Sequence, residues 1–169
     1  DLKKLMDKYF VLKFPNDDRM QLILKYIIDN LTYKRDNAVW KTPEYWQNAY
    51  LTWNLKTGDC EDGAILLYKF ARYAGIPAYR LRIATGDAIQ DNGNIVGHAW
   101  VLYLKESDNT WYSLDWCFYE DRSLDAYTHN IPHRDRKEYG KLWWTTNEKW
   151  SWAQENMTFL NNKGMVIEV

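Results

Sequence analysis

The chain has 169 residues, with 22 Lys and Arg against 23 Asp and Glu and a formal net charge of −1 at pH 7. That length fits one domain able to bury a core without cross-links, and the balanced charge lacks the basic stripe that a nucleic-acid footprint needs. No apolar run approaches a bilayer span, and two cysteines, Cys60 and Cys117, are too few for a disulfide scaffold and are expected as free thiols.

The chain starts at Asp1 with no signal-peptide pattern, as expected of a soluble piece of a longer product. Its aromatic content is high: 10 Trp, 13 Tyr and 5 Phe. Most of these rings are expected to fill the core and the layer just beneath the surface, and the rest to line a groove for a peptide or glycan.

From Asp18 to Leu31, apolar residues at Met20, Ile23, Leu24, Ile27, Ile28 and Leu31 recur at helical spacing and predict an amphipathic helix. Thr32-Tyr33-Lys34 leads into a loop. Thr42-Pro43-Glu44 reads as a helix start, because the missing N–H of Pro43 costs nothing at a first helical position, and the helix is expected to reach about Leu51. Asp59 is a good N-cap for a third helix, with Ala64, Leu67, Ala71 and Ala74 as its stripe of small and apolar residues. Gly75 is its left-handed stop, and Pro77 bars continuation. Cys60 falls in the first turn, at the positive end of the helix dipole.

After Pro77 the period changes to two. Tyr79, Leu81 and Ile83 alternate with Arg80 and Arg82, the pattern of a half-buried strand. Thr85 to Val96 is polar, turns at Asp91-Asn92-Gly93-Asn94, and is expected as a loop that sets specificity. His98 to Leu104 is apolar on both faces, which predicts a central strand; Ser107-Asp108-Asn109 turns the chain, and Trp111 to Cys117 returns antiparallel. The pleat places His98, Trp100 and Leu102 on one face, and Trp111, Ser113, Asp115 and Cys117 on one face of the partner. His98 then lies opposite Asp115 or Cys117, and either register keeps Asp115 within reach. His129 to Glu138 is expected as a loop, Trp143-Trp144 and Trp150-Ser151-Trp152 carry no clear period, and Met165 to Val169 reads as a last strand.

A cysteine attacks a carbonyl as its thiolate, and a helix N-terminus or a nearby imidazolium favours that anion. Cys60 as nucleophile, His98 as base and Asp115 as orienter of the far ring nitrogen meet that need. The Cys60 N–H is itself a donor for a developing oxyanion. Against this stand a buried inert thiol and a satisfied core histidine. The polar neighbours of Cys60, the small residues Gly97 and Ala99 beside His98, and the cost of burying Asp115 alone favour catalysis. Glu61 and Asp62 are expected to cap helix amides and point away from the thiol, whose ionisation they would oppose. A zinc site drawn from Cys60, His98, Asp115, Cys117, His129 and His133 lacks CxxC or HxxxH spacing on one element, so neither metal nor cofactor is expected.

Taken together, Trp40-Lys41-Thr42-Pro43-Glu44, Gly58-Asp59-Cys60-Glu61-Asp62, Gly75-Ile76-Pro77, Gly97-His98-Ala99-Trp100-Val101 and Leu114-Asp115 resemble the transglutaminase-like superfamily. Its bacterial and phage cysteine proteinases are the nearest branch. The resemblance covers roughly Gln21 to Trp116 and implies a papain-like α+β fold, with a nucleophile helix packed on an antiparallel β-sheet. It implies a Cys–His–Asp triad on Cys60, His98 and Asp115 that needs no metal, and a second oxyanion donor for which Trp53 and Gln47 are the candidates. One domain over residues 1–169 is expected, with its core at about 20–118 and an aromatic-rich extension at 119–169.

The expected activity is hydrolysis of an amide or peptide bond through a thioester, on a protein or peptide substrate. Transfer to an amine, giving cross-linking or deamidation, is the alternative within the same chemistry. The rival is a binding or structural module of a virion or envelope assembly, whose aromatic surface would take glycan or cell-wall peptide. Cys117, on the strand face of Asp115, would bring a second thiol near the site, open to a disulfide with Cys60 under oxidation.

Overall fold

Met20, Ile23, Leu24 and Ile27 are almost completely buried, so one apolar stripe drives the packing of helix α1 (Asn16–Asn30) in the computed structural model, which describes residues 15–118 and 131–153. Next come strand β1 (Thr32–Tyr33), helices α2 (Asp36–Val39) and α3 (Ala49–Leu55), strand β2 (Thr57–Gly58) and helix α4 (Cys60–Tyr73). β1 and β2 pair in parallel, where the sequence suggested only a loop after Leu31. The main sheet holds β3 (Leu81–Ile89), β4 (Ile95–Leu104), β5 (Trp111–Leu114), β6 (Tyr139–Thr146) and β7 (Ser151–Ala153), in the order β5-β4-β3-β6-β7. Every pairing in it is antiparallel. The expected α+β architecture is present, with the cysteine helix against an antiparallel sheet.

Leu66, Leu67, Phe70 and Ala71 of α4 share one core with α1 and with Leu81 and Val101 of the sheet. A second cluster, including Trp100, Leu102, Trp111, Tyr139 and Trp152, covers the other face. That second layer corrects the reading of β3 as half-buried. Arg82 is 3% exposed, with its guanidinium 3.7 Å from the Trp152 ring and 4.8 Å from the Trp111 ring, and burial pushes its pKa down to about 10. Tyr79 lies in a 3-10 turn (Ala78–Arg80) ahead of the strand. Thr85 to Val96 is mostly strand, because β4 on one side and β6 on the other satisfy its backbone.

Two further boundaries differ from expectation for tertiary reasons. The second main helix starts at Ala49 rather than Pro43, with Asn48 Oδ1 accepting the Leu51 N–H at 3.0 Å. The preceding segment stays out of the helix because Asp36 accepts the Tyr45 N–H and Asp62 accepts the Gln47 N–H at 2.7 Å. β5 ends at Leu114, where Asp115 Oδ1 accepts the N–H groups of Cys117 and Phe118 at 3.2 Å each and turns the chain out of the sheet. Continuing the Val101–Leu114 register would set His98 opposite Cys117, one of the two anticipated alternatives.

α4 stops at Gly75 (φ 87°), as the sequence predicts. The described part of the His129–Glu138 segment holds a 3-10 turn at His133–Asp135, Trp143 and Trp144 fall on β6, and Trp152 falls on β7. His129 and the expected strand at Met165–Val169 lie outside the described residues. Among the described residues, no helix is long and apolar enough to cross a membrane.

Candidate active site

The first turn of α4 is fastened from two sides. The Asp59 N–H donates to Asp62 Oδ2 at 3.3 Å, one arm of a capping box. Trp116 lies flat against Gly63 and donates from Nε1 to the Cys60 carbonyl at 3.3 Å. Cys60 is thereby set at the first helical position, on the wall of a cleft of about 540 Å³ that His98 and Ala99 also line. Trp46 and Trp143 form aromatic parts of the same wall. Trp46 stacks on Trp144 with centroids 5.8 Å apart, and Trp143 covers Gly97 while donating from Nε1 to Asp87 Oδ1 at 3.0 Å.

His98 and Asp115 are in direct contact, Nε2 to Oδ2 at 2.6 Å. Asp115 is 1% exposed, and its Oδ2 also accepts the Tyr139 hydroxyl at 3.0 Å. Burial alone would push the carboxyl up, yet the His98 charge and these hydrogen bonds hold it below its ordinary value. Cys60 points to a different partner. Its thiol donates to Glu61 Oε2 at 3.3 Å, and burial together with the Glu61 charge raises its pKa well above that of a free thiol. The Ala99 N–H acts the other way, favouring the thiolate.

The expectation that Glu61 points away from the thiol is therefore corrected. Glu61 belongs to an acidic cluster beside Cys60 and is buried there. Carboxylate oxygens of Asp36, Asp59 and Asp62 lie within 4.8 Å of one another, as do those of Asp36, Glu44 and Glu61. Glu61 is pushed up to about 9 by burial and then by its bond to Asp59; Asp62 rises to about 6, chiefly through burial, and Asp36 rises for the same reason. Asp59 Oδ1 and Glu61 Oε1 are buried without a hydrogen-bond partner.

Neither candidate for a second oxyanion donor lines the cleft. Gln47 is spent on Asp62, through both its backbone N–H and its side-chain amide, and Trp53 packs on Tyr26 and Phe70 at 5.6 and 5.3 Å. Of the residues considered for zinc, Cys117 does sit by the His98–Asp115 pair, with ligand atoms of all three within 4.8 Å. His133 does not join them; its Nδ1 pairs with Ser113 Oγ at 2.7 Å. Neither Cys60 nor Cys117 is in a disulfide. Sequence reasoning missed Asp36, Glu44 and Tyr139, which reach the site from distant segments. The aromatic and β-branched content of Tyr139 to Thr146 could have revealed the strand that carries Tyr139, but not its aim.

A cysteine at the head of a helix, packed on an antiparallel sheet that carries a histidine paired to an aspartate just past the edge strand, defines the papain-like class of α+β folds. Within that class the chain belongs to the transglutaminase-like superfamily, whose core domain matches residues 9–116. Calcium-bound LapG from Legionella pneumophila is similar, with a TM-score of 0.69 and 18% identity over 90% of this chain and 75% of that one. EGTA-treated LapG matches at a TM-score of 0.69 and 18% identity, over 92% and 75% of the two chains. A candidate cysteine protease from Cytophaga hutchinsonii gives 0.53 and 24% identity, over 69% of this chain and 37% of that one. At these identities the structures share the fold. No curated protein sequence matches the chain.

Proposed function

We propose that the chain hydrolyses an amide or peptide bond, with Cys60 as nucleophile, His98 as base and Asp115 as the group that orients the imidazole. The observation that carries this reading is the buried 2.6 Å contact between His98 Nε2 and Asp115 Oδ2, made by a histidine that lines the cleft together with Cys60. With Nε2 committed to Asp115, Nδ1 is the nitrogen left to take the thiol proton. The Cys60 thiol turns from Glu61, gives its proton to His98, and adds to the substrate carbonyl carbon. The Cys60 N–H, which as a first helical residue has no intrahelical acceptor, meets the charge on the oxygen. Collapse expels the amine with the proton from His98 and leaves a thioester. Water, deprotonated by His98, then releases the acid and the free thiol. An amine in place of water gives transfer.

The acidic cluster fits a hard divalent cation such as calcium, which one LapG structure binds. The fit rests on the unpartnered oxygens of Asp59 and Glu61 and on two groups of three carboxyls that share Asp36, all oxygen donors of the kind calcium takes. Asp36, Glu44, Asp59, Glu61 and Asp62 would hold it. Such a cation supplies positive charge beside Cys60, which favours thiolate over thiol.

Iodoacetamide labelling across pH, in calcium and in EGTA, tests the nucleophile against Cys60→Ala. With calcium bound, Cys60 is expected to react faster at pH 6 than free cysteine does, and in EGTA to fall back as burial and Glu61 oppose the thiolate. A rate in calcium no higher than that of free cysteine would sink the hydrolase. A glutamine-containing protein with a fluorescent amine then separates the outcomes. Fragments without dye mean peptide hydrolysis, ammonia without dye means deamidation, and dye incorporation means transfer.

A further inference from the structure

We infer that Tyr139 is a fourth, positioning member of the group, fixing the Asp115–His98 pair from the region beyond the family core. The inference rests on the Cys60–His98–Asp115 reading. The family match ends at residue 116, so this contact is supplied by chain that the family pattern leaves out.

Tyr139 is buried at the start of β6, and its hydroxyl donates at 3.0 Å to Oδ2 of Asp115, the same oxygen that faces His98. The other oxygen accepts the N–H groups of Cys117 and Phe118. Both oxygens are thus filled, and the carboxylate has one orientation. The phenol stays protonated because burial and the Asp115 charge raise its pKa well above the ordinary value.

The ring does a second task. It packs on Trp100 with centroids 4.6 Å apart, and Trp100 stacks on His98 at 5.9 Å and 20°. One side chain therefore restrains the acid through its hydroxyl and the imidazole through an indole. The backbone explains the aim: the β3–β6 ladder slips between Thr85 and Gly86 and again between Gly86 and Ala88, just where Tyr139 pairs. A Cβ on Gly86 would lie 2.5 Å from the Lys141 carbonyl, so glycine permits that slip.

The hydroxyl draws charge from the oxygen that faces His98. Without it, Oδ2 holds the imidazolium more tightly, and His98 keeps its proton to higher pH. The other titratable groups around the pair are Cys60, Cys117, His133 (5.7 Å from the Tyr139 ring), Arg136 (5.4 Å from it) and Glu138, which bonds Arg136. All of them stay in place when only the hydroxyl is removed.

The test is an NMR titration of His98, assigned by the signal lost in His98→Gln, in the parent protein and in Tyr139→Phe. Phenylalanine keeps the stack on Trp100. The expected result is a rise of about half a pH unit or more in the His98 titration, with kcat down about tenfold and KM unchanged. A core filler would lower only the melting temperature. A folded Tyr139→Phe whose His98 titration stays put or moves down overturns the inference. Should that variant not fold, 3-fluorotyrosine placed at 139 donates more strongly and is expected to lower the His98 titration; no downward shift overturns it equally. The titration needs no turnover. If it moves as expected while the parent hydrolyses nothing, the hydrolase reading fails and the hold of Tyr139 on the pair stands.

Discussion

Replacing Gly63 by alanine tests how tightly the cysteine helix is fastened to the site. In an open helix the change would gain about 1 kcal/mol, because glycine loses the most backbone freedom on folding. Here the added Cβ would lie 2.5 Å from Trp116 Cδ1 and closer still to Nε1 and Cε2. Trp116 is 1% exposed within the main core, so it has no route to solvent. Restoring ordinary contact, about 3.5 Å or more between carbons, requires the indole to move by about an ångström. Overpacking of that kind costs about 1–3 kcal/mol, and weakening the Trp116–Cys60 hydrogen bond costs about 1 more. After the helix gain, the expected net loss is about 2 kcal/mol, or about 4–8 °C in Tm for a chain of this size. Thermal unfolding followed by circular dichroism reads the loss, and a urea midpoint checks it. Because Trp116 adjoins Asp115, iodoacetamide labelling of Cys60 should slow as well. A Tm equal to or above that of the parent would show that Trp116 does not press on Gly63.

Asp115→Asn is expected to lower the hydrolysis rate about 10³–10⁴-fold by losing the carboxylate that fixes the imidazole; initial rates with circular dichroism as a folding check decide it, and a fall of less than about tenfold would remove Asp115 from the mechanism. His133, buried and pushed down to about 4 from an ordinary 6.5, is neutral when folded, so the unfolded chain takes up the proton first as pH falls. Its contribution to stability is therefore unaffected above about pH 6.5 and declines toward pH 4 by about 3 kcal/mol. Urea midpoints at pH 7 and pH 4.5 should show that decline flattened in His133→Gln, and an identical slope in the two proteins refutes the assignment. Calcium at about a hundred times its Kd should stabilise the protein by about 2.7 kcal/mol, raising Tm by about 5–10 °C. The rise should vanish in EGTA or in Asp59→Asn, and an unchanged Tm in the parent sinks the cation reading.

Local rules made the cysteine helix legible. An acid at the cap, small and apolar residues down one stripe, and Gly75 with Pro77 at the end each act within a turn or two of the chain, so α4 appears where the pattern puts it. The pleat likewise brought His98 within reach of Asp115, since alternation fixes faces once two strands are adjacent. The misreadings all involve partners far away in the chain. Pro43 signals a helix start, yet Asp36 and Asp62 hold the amides of Tyr45 and Gln47 and keep that segment out of a helix. Arg82 looks like a solvent-side residue until two tryptophans from β5 and β7 close over it. Glu61 suits a helix dipole, and nothing in its own turn says that Asp36 and Glu44 will gather beside it next to the thiol.

The sequence by itself therefore determined the fold class and the family: a thiol at a helix head, a histidine on a central strand, an aspartate at the end of the returning one, and a family pattern that joins them. Only the tertiary structure decided the surroundings. It set the acids beside Cys60, the aromatic walls of the cleft, and the Tyr139 hydroxyl on Asp115. The reason is range. Caps, turns and strand faces follow from bonded neighbours and fixed periods. The groups that pack around a buried charge are chosen by the whole core, through contacts that span 24 residues from Asp115 to Tyr139 and leave no period in the chain.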